Sequence, residues 1–269
     1  MLPIISIYGI TLPSYGLMIV LGVIVGLLVI IKFFSKYYTI SKEDIIYALI
    51  YGLIGAIIGS KILYLLTNIK LLLNNIDNIV QILLGMLSGG FVFYGGLIGG
   101  VLGVYIYSKQ FKVSFKELVM LIVPTLPLMH AFGRIGCLLA GCCYGVEYHG
   151  IGHIIFNNSM LAPNGVPLFP MQIVESICNI IIFCILLVTY KRNVGTYKSI
   201  VMYFSMYSIT RFILEFFRGD LVRGNFLFFS TSQWISIVIL IVTIYFYYND
   251  IIKLNNKKNN SNTKVHSKY

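Results

Sequence analysis

The chain has 269 residues, of which 58% are hydrophobic and only 11% charged. A soluble domain carries about a quarter charged residues, so this composition excludes a soluble fold and indicates a polytopic helical membrane protein. The net charge of +11 does not point to a nucleic-acid partner, because the basic residues are scattered between apolar runs rather than set along one polar face.

Seven apolar stretches, at 14–33, 45–66, 79–107, 117–138, 172–190, 198–217 and 229–248, each approach or exceed the roughly 20 residues that cross a bilayer. The expected fold class is all-α, with seven transmembrane helices in one domain over residues 1–250. The first stretch lacks a basic leader and a small-x-small exit, so it reads as a span rather than a cleavable signal. The third is too long for one simple helix and carries Ser88-Gly89-Gly90 and Gly95-Gly96-Leu97-Ile98-Gly99-Gly100. These glycines predict either a broken or re-entrant span or close helix packing through small residues. The loop over 139–171, with Pro, Asn and Gly turn signals, is expected to form a small extracellular cap. Residues 251–269 are Asn- and Lys-rich and read as a disordered basic cytoplasmic tail.

Fourteen of the twenty Lys and Arg follow the first, third, fifth and seventh stretches, on one side of an alternating seven-span chain. The positive-inside rule then puts the amino terminus outside and the carboxyl terminus in the cytoplasm. Lys61, Lys70, Arg134, Arg211, Arg218 and Arg223 remain, at positions for which topology gives no reason.

Arg134 is the first of these in a candidate site. Guanidinium is poorly tolerated in hydrocarbon and well shaped to grip phosphate. Gly133 and Gly136 beside it leave room for a ligand, and His130 lies one helical turn earlier. In the sixth stretch, Arg211, Glu215 and Arg218 are spaced to share one helix face, as an interhelical ion pair or as an anion site in which Glu215 holds the arginines. Gln172 and Glu175 open the fifth stretch, where Glu175 is expected to cap the helix start or pair with an arginine. Tyr15-Gly16 and Tyr94-Gly95-Gly96 set phenols beside glycines. Arginines, carboxylates, amides and apolar walls together suit a lipid with an anionic head group.

Of the five cysteines, Cys178 and Cys184 lie in an apolar run and read as small buried hydrophobes. Cys137, Cys142 and Cys143 match no common zinc or iron–sulfur spacing, so no metal is expected. Small-residue packing, a disulfide from Cys137 to Cys142 or Cys143, and a redox role all remain open.

Gly133-Arg134-Ile-Gly136 running to Gly145 resembles the signature segment of prolipoprotein diacylglyceryl transferases. Tyr15-Gly16, Gly95-Gly96-Leu97-Ile98-Gly99, Pro170-x-Gln172-x-x-Glu175, Arg211-Phe-x-x-Glu215-Phe-x-Arg218 and Ser232-Gln233 fit the same pattern over residues ~10–250. The resemblance implies an enzyme of the bacterial plasma membrane. Such an enzyme moves the diacylglyceryl group of phosphatidylglycerol onto the lipobox cysteine of a preprolipoprotein, without cofactor. Arg134, Arg211, Tyr94 and Glu215 would be catalytic. Arg134 would also join Tyr15, Gly95, Gly96, Gly136, Gly145, Gln172, Glu175 and Arg218 in binding substrate.

Two departures qualify that reading. Tyr94 stands where the family usually has a histidine, and a phenol of ordinary pKa ~10 is a poor base at neutral pH. Cys137, Ala140 and Cys142 stand where the signature usually has two asparagines and a glutamate. Two alternatives follow: a phosphatidylglycerol-dependent transferase with another acceptor, and a membrane thiol oxidoreductase using Cys137, Cys142 and Cys143. A transporter built on the arginine–glutamate ladder lacks the internal repeat such folds carry.

Overall fold

The computed structural model describes all residues except 1, 2, 8, 9, 75–77, 160, 195, 221–224 and 267–269, so Arg223 lies outside the described residues. It is mostly helical, and six helical segments are long and apolar enough to cross a membrane: Ser14–Tyr37, Lys42–Thr67, Phe115–Ala140, Met171–Asn193, Lys198–Phe217 and Thr231–Tyr248. These coincide with six of the seven stretches expected. After a short helix α3 (Ile69–Leu73), the third stretch instead forms two helices, α4 (Ile79–Ser88) and α5 (Phe93–Gln110), interrupted at Gly90 with φ +66°. Five glycines and a Ser108-Lys109-Gln110 end dilute the apolar character of α5, which is why it falls short by composition. Short hairpins add to the expected all-α class: β1 (Ile4–Ile7) with β2 (Ile10–Pro13), β3 (Ile154–Ile155) with β4 (Pro167–Leu168), and β5 (Asn225–Phe226) with β6 (Phe229–Ser230).

The chain divides into two compact units. In the unit spanning Ile31–Leu121, α2 (Lys42–Thr67) pairs antiparallel with α5. Gly55 and Gly59 face Gly95, Gly99 and Gly103 so closely that a methyl group on any of them would meet the opposite backbone carbonyl. This is small-residue helix packing, and here the glycines serve both the break and the contact. The pairing continues to the start of α2, where the Tyr107 hydroxyl donates to Asp44 Oδ1 (2.6 Å). Ser41 caps α2, its Oγ accepting from the Asp44 amide (3.0 Å). At the other end Lys61 Nζ donates to the Gly89 carbonyl (2.6 Å), tying the end of α4 to α2.

In chain order α6 (Phe115–Ile122) follows α5, and the second unit, Met1–Ile30 with Ile122–Tyr269, holds α1 (Ser14–Val29), α7 (Leu126–Ala140), α8 (Met171–Asn193), α9 (Lys198–Leu214) and α10 (Thr231–His266). Gly22 and Gly26 of α1 lie against Phe132 and Met129 of α7, and Gly136 of α7 admits Tyr15. Between α7 and α8 the chain folds as a cap with its own small core of Phe156, Ala162 and Leu168, packed by Leu138, Tyr144, Ile154 and Val166. Helix α10 continues to His266, through the segment whose composition reads as a polar tail.

Candidate active site

Glu175, one turn into α8, is the hub of a buried ionic cluster. Its Oε2 lies 2.9 Å from Arg134 Nε, and its Oε1 accepts from Arg211 Nη1 at 2.7 Å and stands 3.7 Å from Arg218 Nη1. Three helices each contribute one member, α7 through Arg134, α8 through Glu175 and α9 through Arg211. The Nε–H of Arg134 also lies 3.2 Å from His130 Nε2, one turn earlier on α7. The i, i+4 pair between Arg211 and Glu215 forms as the spacing predicts, and Arg211 Nη2 also donates to Ser232 Oγ (3.2 Å).

The shared face expected for Arg211, Glu215 and Arg218 holds only in part. α9 ends at Leu214, a 3-10 turn covers Glu215–Phe217, and Arg218 is extended with φ −85° and ψ 137°. From there Arg218 stays 3.9 Å from Glu215 but makes its bidentate pair with Asp220, at 2.8 and 2.7 Å. Backbone pairing fixes this strand-like segment: Gly145 bridges Arg218, and the Gly219 amide donates to the Tyr144 carbonyl (3.0 Å). A side chain at Gly145 would strike the Phe169 carbonyl, which explains the glycine. The signature segment thus joins Arg134 and Arg218 through its two ends.

Gln172 is buried and its Nε2 donates to the Cys142 carbonyl (2.8 Å), holding the turn after α7. Tyr15 is half-exposed beside Gly136, and space beside Gly133 is open. Tyr94, Gly95 and Gly96 belong to the other unit, in the first turn of α5, where the Phe93 and Tyr94 rings meet edge to face at 5.7 Å. Asp220 and Ser230 bond to members of the cluster, although the sequence reading gave neither a role. Ser230 Oγ donates to Glu215 Oε1 at 2.9 Å and its amide donates to Gln233 Oε1 at 2.9 Å. Asp220, two residues after an arginine beside a glycine, is the one signal that was available.

Three cations and three carboxylates (Arg134, Arg211, Arg218; Glu175, Glu215, Asp220) balance formally. Among the described residues, Arg218 Nη1, Gln172 Oε1, Glu175 Oε2 and Glu215 Oε2 are buried side-chain atoms of this cluster with no hydrogen-bond partner, the two carboxylate oxygens being ion-paired with Arg134 and Arg211. A buried guanidinium N–H without a partner costs free energy until an acceptor arrives, and phosphate oxygens are its best match.

The sulfurs of Cys137, Cys142 and Cys143 lie within 4.8 Å of one another, and all three cysteines are thiols. Hydrogen bonds from Cys137 and Cys142 hold the Cys143 thiol far below its usual range, with Arg134 and Arg218 acting in the same direction.

The prolipoprotein diacylglyceryl transferase family model matches residues 3–249. A phosphatidylglycerol–prolipoprotein diacylglyceryl transferase 2 of Clostridium perfringens (strain 13 / Type A) is 42% identical over 236 residues, covering 88% of this chain and 90% of that protein. The phosphatidylglycerol–prolipoprotein diacylglyceryl transferase of Clostridium tetani (strain Massachusetts / E88) is 36% identical over 240 residues, covering 89% and 94%.

Proposed function

The chain belongs to the prolipoprotein diacylglyceryl transferase family, and from that premise we propose that it moves the diacylglyceryl group of phosphatidylglycerol onto the lipobox cysteine thiol of preprolipoproteins. The observation that carries this is the convergence of Arg134, Arg211 and Arg218 on Glu175, with one guanidinium nitrogen still lacking a hydrogen bond. In the reaction the acceptor thiol loses its proton and its sulfur attacks the glyceryl carbon. The C–O bond to phosphate breaks as the C–S bond forms, and glycerol phosphate leaves with the bonding pair.

Arg134 and Arg218 bind the phosphate and stabilise the charge that grows on its oxygen. Arg211 supports them, fixed by Glu215 and Ser232, while Asp220 and Glu175 hold the guanidiniums in place before substrate arrives. Gln172 keeps the Cys142 carbonyl and its turn in register. Gly136 lets Tyr15 approach, and Gly145 lets the Phe169 backbone approach. Within this reading α5 is the seventh crossing, and α4 with its break forms a re-entrant or broken outer segment. The end-to-end pairing of α5 with the spanning α2 supports that, as do 18 residues giving roughly 27 Å of helix against a core of about 30 Å. Seven crossings put the amino terminus and the cap over 141–170 on the outer face of the plasma membrane.

The test is direct. Purified chain in phosphatidylglycerol vesicles with a lipobox peptide should add one diacylglyceryl unit to the peptide's cysteine, read by mass spectrometry. Arg134→Ala should lower that rate by about two to three orders of magnitude, the usual cost of removing one donor to a developing charge. Turnover of phosphatidylglycerol without peptide modification would instead mean a different acceptor.

A further inference from the structure

The spacing Cys-x4-Cys-Cys fits no familiar metal motif when read as a string, yet the fold gives it a definite meaning. Helix α7 ends in a Schellman motif, with Gly141 in the left-handed region at φ +71°. The Cys142 amide donates to the Cys137 carbonyl (3.0 Å) and the Gly141 amide to the Leu138 carbonyl (3.3 Å). This motif brings the side chain three from the helix end against the one just past the glycine. Here those two side chains are Cys137 and Cys142. The next residue, Cys143, is itself left-handed at φ +58°, an uncommon and strained choice for a residue with a side chain, and it turns the third thiol toward the other two. Three sulfurs within 4.8 Å of one another result.

We propose that Cys137, Cys142 and Cys143 form a three-thiolate zinc site whose open fourth position takes the acceptor cysteine as a thiolate. Zinc at about 2.3 Å from each sulfur requires sulfurs roughly 3.8 Å apart in tetrahedral geometry, within reach of small rotations from the observed triangle. Three thiolates and Zn²⁺ carry one net negative charge, and Cys143 lies within electrostatic reach of Arg134 and Arg218, which offset it. Cys137 is buried and anchors the site, whereas Cys142 and Cys143 are partly exposed, leaving a way in for a fourth ligand. Three protein ligands with one open position is the pattern of catalytic rather than structural zinc.

The activation step rests on the transferase reading above. The acceptor thiol binds zinc and gives its proton to water, since a coordinated thiol is deprotonated. The zinc-bound sulfur then attacks the glyceryl carbon, the C–O bond to phosphate breaks, and glycerol phosphate departs beside Arg134. The thioether product, a weak ligand, leaves zinc and restores the site. Nothing is oxidised or reduced. This supplies the nucleophile in a chain whose Tyr94 is a poor base.

Zinc content of the full chain, purified reduced in detergent, measures the site apart from the activity. One zinc per chain is expected, and cobalt in its place should give thiolate-to-metal charge-transfer absorption. Cys142→Ser and Cys143→Ser, at partly exposed positions, should each weaken metal binding at least about tenfold. Cys184→Ser on the outer face of α8 should leave it unchanged. Arg134→Ala should keep its zinc while losing transfer. Removing zinc from the wild type should slow transfer about thirtyfold at pH 7, because a free thiol of pKa ~8.5 is only about 3% thiolate there. Reduced protein with no zinc, copper in zinc's place, or a Cys137–Cys142 or Cys137–Cys143 disulfide overturns the site. Full transfer by zinc-free protein overturns the activation step. A zinc-loaded protein that modifies no peptide overturns the transferase reading and the activation step while the metal site stands.

Discussion

Glu175 holds more of the site together than any arginine does. It is buried, it meets Arg134 and Arg211 within 3 Å, and it faces Arg218 at 3.7 Å. Removing its charge strands two or three guanidiniums in a low-dielectric interior. Breaking a buried pair from one side costs about 3–5 kcal/mol. Glu175→Gln is therefore expected to lower thermal stability clearly in detergent, whereas Glu147→Gln on the exposed cap should not, and a thermal melt of the two variants decides it. Arg134, Arg211, Arg218 and Glu175 were all legible in the sequence, because a charge inside an apolar run stands out. The hub was not. Periodicity assumes that the helix persists, so it assigned Arg218 to the face of Arg211 and Glu215, while the helix ends at Leu214 and Asp220 becomes the partner. Contacts between helices have no signal in a single chain.

At the scale of elements, the third apolar stretch carried two readings that the structure combines. Gly89 and Gly90 interrupt the helix, and Gly95, Gly99 and Gly103 pack it against Gly55 and Gly59. The break was readable because glycine pairs are strong punctuation; the partner helix was not, because small-residue packing names no specific neighbour. Gly99→Val would drive its side chain into the Gly55 carbonyl. It should destabilise the α2–α5 pair by at least about 1–3 kcal/mol, seen as a lower melting temperature and faster proteolysis of that unit. Gly133→Ala, with open space around it, is the matched control for stability. The Schellman turn teaches the same lesson for cysteines: their spacing gained meaning only once Gly141 was seen to end the helix.

At the scale of the whole molecule, charge asymmetry predicts orientation more simply than span counting does. Fourteen basic residues fall on one side if α5 crosses the membrane and on both sides if it does not. A reporter protein that fluoresces only in the cytoplasm, fused after Tyr269, is therefore expected to be bright. A second such reporter fused after Thr39, in the loop following α1, should be bright as well; one bright and one dark would leave α5 outside the count. All seven stretches were readable because hydrophobic length is a strong signal, and among the described residues six are met by helices long and apolar enough to span, while the third is met by α4 and α5, which are not.

The ionic cluster also bears on how the chain enters the membrane. Arg134 is synthesised on α7 well before Glu175 appears on α8, and an arginine costs up to roughly 2.5–3.5 kcal/mol on the insertion scale at a span's centre and less toward its end, where Arg134 lies. The connecting cap is compact, with its own small core and the β3–β4 hairpin. α7 therefore passes into lipid at least cost as one half of a helical hairpin with α8, its arginine neutralised on arrival, and Arg211 completes the arrangement when α9 follows.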